Sequence, residues 1–254
     1  YLVNQQEPLA SPIASMKRLP DGAPVCVHRK CVTGIWFDHM FVEEVDRSAG
    51  IKVIFGDDVP SDLLRRGNLV SFHGVMGTVG GQRVVFENSS ILCDFQSFAP
   101  IGSLGMSSAG IMGWPINPKF PNAERYLGLS ATGLYVRISG VVTSANWADE
   151  DGYFIYLDDG WGKKDKSEAD APGVRVYTNV IPNVGDFLVA SGVLSTKVAY
   201  DPTPQGPSGD ELIIPVIRTT FDMEPSPPTT EPTVQSSGPV SGRVRLVGEP
   251  PPGR

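Results

Sequence analysis

Three histidines (His28, His39, His73), three cysteines (Cys26, Cys31, Cys93) and two carboxylate pairs (Glu43-Glu44, Asp158-Asp159) have the widest chemical reach in this 254-residue chain. Their surroundings are poor for catalysis. No Ser or Cys stands in a nucleophile-elbow context, and neither H-E-x-x-H nor H-x-E with C-x-x-C is present. Neighbouring residues of a strand point to opposite faces, so neither carboxylate pair makes an acid–base dyad. Both pairs read as strand-end surface residues. Asp149-Glu150-Asp151-Gly152, Asp158-Asp159-Gly160 and Asp165 supply loop oxygens of the kind calcium takes, but without EF-hand spacing. They read as solvated acidic turns. The expectation is a protein that is not an enzyme, with no catalytic residue, no metal and no cofactor.

The cysteines lack the C-x-x-C spacing of a zinc or thioredoxin-type site. Cys26 and Cys31 would lie about 16 Å apart on one extended strand, too far to bond each other without a bend. A disulfide from either to Cys93 is easier if the strands that carry them are close. The alternative is three buried free thiols.

Binding is the chemistry that remains. Trp36, Phe37, Trp147, Trp161 and Tyr200 could stack on sugars or bases, or could instead cover the ends of the folded units. The net charge is −7 and the basic clusters His28-Arg29-Lys30, Arg65-Arg66 and Lys163-Lys164 are short and have acidic neighbours. Phosphate neutralisation supplies most nucleic-acid affinity, so this balance disfavours nucleic acid as a partner. No stretch approaches the roughly 18 apolar residues of a membrane-spanning helix, and no membrane insertion is expected. Residue 1 is Tyr, which points to a processed or trimmed chain with no visible leader.

The elements that must position these residues repeat along the chain. Gly67–Val75 and Gly185–Val193 both read G-[ND]-x-x-x-x-x-G-V, offset by 118. Phe41–Glu44 matches Tyr156–Asp159 at an offset of 115, Gly50–Val53 matches Gly173–Val176 at 123, and Val25–Val27 matches Val136–Ile138 at 111. The order is conserved between the halves, as in two copies of one fold with loop insertions. Gly and Pro make up about a fifth of the chain, which favours short strands and turns.

Each copy reads as five strands. The first has Pro24–Thr33, Met40–Val45, Ile51–Phe55, Leu69–Thr78 and Gln82–Ser90; the second has Leu134–Ser144, Tyr153–Asp158, Val174–Thr178, Phe187–Lys197 and Leu212–Thr220. Val25/Val27 and Val136/Ile138 share one face of their strands. Ser61–Arg66 reads as one helical turn ended by Gly67. Gly74, Gly140 and Gly192 sit inside strands, where a sharply coiled barrel corner explains them better than a ligand does.

The runs Leu19–Val25, Val32–Gly34, Phe41–Val53 and Gly67–Val75 resemble bacterial OB-fold modules appended to secreted proteins. Gly133–Gly140 and Tyr153–Gly160 resemble a divergent partner module. The resemblance covers about residues 13–222. It implies an all-β chain of two tandem five-stranded OB-type Greek-key barrels, secreted and placed outside the cell or on its surface, in an accessory, non-enzymatic role. It also places ligands on the face of strands two and three, beside the loops that carry Trp36, Phe37, Trp147, Trp161 and Tyr200.

The expected organisation is a first barrel over 1–94, a linker over 95–129 packed through Ile101, Leu104, Met106, Ile111, Met112, Trp114 and Phe120, a second barrel over 130–223, and a tail over 224–254. The tail is Pro/Thr-rich and then alternates through Val240, Val244 and Leu246 against Ser241, Arg243 and Arg245. This extended strand resembles the opening strand of β-sandwich modules in bacterial surface proteins. A lone strand is not stable in water. Pairing with a neighbour's sheet edge through Val240, Val244, Arg245 and Leu246 would build a non-closing assembly, a filament by strand exchange. The leading expectation is therefore an extracellular structural protein or module that self-associates or contacts neighbouring domains. The alternative is a ligand-binding accessory module for carbohydrate or single-stranded nucleic acid.

Overall fold

A computed structural model describes residues 10–56, 64–98, 101–112, 131–165, 167, 171–200 and 211–225. The first half contributes β1 (Pro24–Ile35), β2 (His39–Glu43), β3 (Gly50–Ile54), β4 (Asn68–Val79), β5 (Gln82–Glu87) and β6 (Leu92–Phe98). The second contributes β7 (Leu104–Gly105), β8 (Tyr135–Asp149), β9 (Gly152–Asp158), β10 (Val174–Tyr177), β11 (Phe187–Tyr200) and β12 (Glu211–Pro225). Short helices α1 (Ile13–Met16) and α2 (Ser108–Met112) precede β1 and β8.

Hydrogen bonding runs β1-β2-β3-β5-β4 in the first sheet, and a β1–β4 pairing closes the ring. The second sheet runs β8-β9-β10-β12-β11 and is closed by β11–β8. One pairing in each ring is parallel, β3 with β5 and β10 with β12, and it falls at the same step of the order. All ten predicted strands occur. Sequence reading missed β6, which extends the first sheet alongside β4, and β7, which pairs with β8.

Alternation decides what fills each ring. Val25, Val27, Met40, Val42, Ile51 and Val53 point inward in the first, and α1 adds the fully buried Ile13 and Met16. Val136, Ile138, Ile155, Leu157, Val174 and Val176 fill the second, joined by Ile111 of α2. Burying each such side chain is worth roughly 1.5–3 kcal/mol. Of the described linker residues expected to pack, Ile101 lies against Cys31 and Leu69 and Ile111 joins the second core, whereas Leu104 is exposed. The strand-interior glycines mark close crossings: a Cβ on Gly74 would lie 2.5 Å from Phe86 O, and one on Gly192 would lie 2.3 Å from Arg218 O. No side chain fits there, so the structural explanation of these glycines holds.

The first half of the Ser61–Arg66 turn lies outside the described residues, as do Trp114, Phe120 and the whole tail strand with Val240, Val244, Arg245 and Leu246. The three cysteines are free thiols. Cys31 pairs with Leu69 on one side of β4, while Cys93 pairs with Val70 from the other side. Two strand spacings, about 10 Å, separate them, beyond the reach of a disulfide. The bridge to Cys93 is thereby corrected to free thiols.

Candidate functional site

With Met40, Val42, Ile51 and Val53 turned inward, strands β2 and β3 present His39, Phe41, Glu43, Gly50 and Lys52 outward. This is the face where the resemblance places a ligand. Here the second barrel covers it. Phe41 is fully buried against Tyr135, Val193 and Trp36. Glu43 is fully buried too, which corrects its reading as a surface residue. Its Oε2 accepts the Tyr135 N–H at 2.9 Å, and its Oε1 meets Arg47 Nε at 3.4 Å. Burial pushes the Glu43 carboxyl above its ordinary range, and the Tyr135 N–H and Arg47 oppose that rise. Glu44 points elsewhere, accepting from Ile13 N and Lys30 Nζ.

Further bonds cross the same seam. Lys17 Nζ donates to Thr132 O at 2.8 Å, Arg47 to Tyr135 O at 3.2 Å, and Arg66 to the Tyr135 hydroxyl at 2.5 Å. Ser195 donates to Gln82 at 3.0 Å and Thr196 to Gly80 O at 3.0 Å. Apolar contact, a buried carboxylate and bonds at both ends make the seam a fixed joint.

The matching face of the second barrel is closed differently. Phe154 and Tyr156 of β9 and Arg175 and Tyr177 of β10 point outward, and part of the β9–β10 connection folds over them. Arg175 is 1% exposed. It donates to the Tyr156 hydroxyl at 2.9 and 3.1 Å and to Ser167 Oγ at 2.9 Å, and its guanidinium lies 4.1 Å above the Phe154 ring. Tyr156 in turn donates to Asp165 at 2.7 Å. Burial raises the pKa of the Tyr156 phenol. Asp165 is therefore a buried partner of this network, not the solvated turn residue that its sequence context suggests. Nothing in the local sequence marks Arg175 as buried.

Between the barrels an open cleft of about 710 Å³ remains. Gly34, Ile35 and Trp36 form one wall as β1 enters its turn; Asp151, Gly152 and Tyr153 form the other at the β8–β9 turn. Arg66, Tyr177, Thr178, Asn179, Arg218 and Thr219 complete it. Arg218 donates to Asp151 at 3.1 Å, with its guanidinium 4.9 Å over the Tyr177 ring. Lys197 holds Asp151 from the other side at 2.7 Å.

The five predicted stacking residues do not converge. Trp36 lines the cleft, stacked on His39 with ring centroids 5.1 Å apart. Phe37, beside it in the turn, is 99% exposed. Trp147 stacks on Phe154 and donates to Ser144, while Trp161 packs on the second core beneath Lys163. The side chain of Tyr200 lies outside the described residues. Tyr153 and Arg218, which the sequence did not single out, line the cleft instead.

Among the described residues, no three His, Cys, Asp or Glu side chains group to hold a metal ion. His28 reaches Ser71 Oγ at 3.4 Å, and Ser71 is already accepting the Arg29 N–H.

The ring order and the parallel step define an OB-type, all-β protein. No family model matches the chain, and no curated protein matches it. Among solved structures it is similar to the crystal structure of the p204 HINb domain, at 14% identity and a TM-score of 0.35, over 80% of this chain and 96% of that one. It is also similar to a replication protein A heterotrimer bound to ssDNA, at 12% identity and a TM-score of 0.28, over 74% of this chain and 47% of that one.

Proposed function

We propose that this chain is a non-catalytic structural module of an exported protein, in which two OB-type barrels act as one rigid body. The observation that carries the reading is closure of both β2–β3-type faces from within the chain, by Tyr135 and Val193 over Phe41, and by Asp165 and Ser167 over Arg175. A surface spent on internal packing supports rigidity in place of exchange with a partner. Export and a bacterial source follow the resemblance of residues 13–222 to secreted accessory modules. In this reading the tail carrying Val240, Val244, Arg245 and Leu246 joins the module to a neighbour.

Light scattering and negative-stain microscopy of the full chain, beside a version ending at Pro225, test the reading. Filaments or large oligomers from the full chain alone support a joining tail. Identical monomers from both would reject it.

A second reading, a ligand-binding accessory module, is favoured by one observation. The cleft joins an exposed aromatic, Tyr153, with polar groups from both barrels. The single-stranded DNA of the replication protein A complex belongs to that protein; in this chain the charge of −7 weighs against a polyanion.

A further inference from the structure

We propose that the cleft between the barrels binds a short neutral oligosaccharide, an inference that rests on the second reading above. The first argument is the mixture of polar groups. Asp151 offers an acceptor, Arg66 and Arg218 offer donors, Asn179 offers both, and the Thr219 hydroxyl, which donates to the Tyr177 carbonyl, offers an acceptor. A sugar hydroxyl both donates and accepts, so an alternating set of this kind satisfies it, while a purely cationic or purely apolar wall does not.

The second argument is the aromatic wall. Tyr153 is 54% exposed, and its backbone is fixed because its carbonyl accepts the Thr178 N–H at 2.9 Å. Trp36 lines the same cleft from the other barrel, locked by His39 and Phe41. Rigid ring faces suit the C–H faces of pyranose rings, and a stiff aromatic loses little entropy on contact.

The third argument is charge. Arg218 is ion-paired with Asp151, and Arg66 is held over the Tyr135 ring at 4.3 Å. Glu150, next to Asp151, is 81% exposed. A phosphate backbone would meet these carboxylates, and a neutral ligand would not. Asp151 is itself held by Lys197 and Arg218, so its lone pairs are aimed before a ligand arrives.

The fourth argument is size and origin. A volume of about 710 Å³ lies within the ordinary range of ligand pockets and suits a few sugar units. Its walls come from two barrels held by the Glu43–Tyr135 and Arg66–Tyr135 bonds, which makes the site preorganised.

The test uses the full chain, tryptophan fluorescence and calorimetry, with cellotetraose, xylotetraose, maltotetraose and chitotetraose as probes beside an oligothymidylate. At least one tetraose should give a saturable response, insensitive to salt. Tyr153→Ala should raise its dissociation constant at least tenfold, and Asn179→Ala should raise it several-fold. Both positions are solvent-facing, and thermal unfolding checks that the variants fold. A response unchanged in both variants overturns the assignment to this cleft. Binding of the oligothymidylate alone overturns the sugar class while leaving a ligand cleft in place. Silence from every probe overturns both.

Discussion

The carboxylate of Glu43 accepts the backbone N–H of Tyr135 at 2.9 Å, across 92 residues of chain and from one barrel to the other. Tyr135 opens β8, so Glu43 satisfies the first donor of the strand that closes the second ring. Glu43→Ala would leave that N–H and Arg47 without their buried acceptor. A loss of about 2–4 kcal/mol is expected by urea unfolding. Glu43→Gln, whose amide oxygen still accepts, should lose less. A change below about 0.5 kcal/mol for Glu43→Ala would mean that the seam is solvated.

His39 gives the protein an acid-sensitive step. Burial lowers its pKa to about 4, with Lys52 adding to the effect and the Asp38 carboxylate opposing it. In the unfolded chain the imidazole titrates near its ordinary 6.5. Between these values the unfolded state holds the extra proton. The contribution is therefore fully present above about pH 6.5 and is lost as pH falls towards about 4, by on the order of 3 kcal/mol. Glu43 works in the opposite sense, because its raised pKa favours the folded state as pH falls. Unfolding midpoints measured from pH 7 to 4 should drop for the native chain and drop less for His39→Gln. Equal slopes in the two would remove His39 as the cause.

Gly50 and Gly133 meet at the seam. A Cβ on Gly50 would lie 2.2 Å from the Gly133 carbonyl oxygen, so Gly50→Ala must separate the barrels. A destabilisation of about 1–3 kcal/mol is expected, together with a change in Trp36 emission, since that ring spans the same seam. Native-like stability in Gly50→Ala would show that the barrels slide freely.

Arg175 and Asp165 are bound into one network through Tyr156 and Ser167. Arg175→Met removes the cation and leaves Asp165 buried without it, at an expected cost of roughly 3–5 kcal/mol. Adding Asp165→Asn should recover part of this. A double-mutant cycle by chemical denaturation measures the coupling, and strict additivity would contradict it.

Several of these features differ in how legible they were. The internal repeat placed all ten ring strands, because alternation and turn glycines are local properties of chain and solvent. It also placed the inward faces, as Val25, Val27, Val136 and Ile138 confirm. The outward faces were opaque. Glu43 read as a strand-end surface carboxylate and is fully buried; Asp165 read as a solvated turn residue and is 9% exposed. A charged side chain is expected at the surface unless a partner removes it from water, and here the partners lie far along the chain. Cys31 and Cys93 looked able to bridge until β4 was found between them.

What the amino-acid order determined by itself is the barrel: five-strand periodicity, core-facing residues, and glycines where strands cross too closely for a Cβ. What only the tertiary structure decided is the fate of each barrel's outer face and the cleft left between them. Period-two patterning separates the two sides of a strand but carries no information about what docks on the polar side. That is set by bonds such as Glu43–Tyr135 and Arg66–Tyr135, whose partners are brought together only when the second barrel seats against the first.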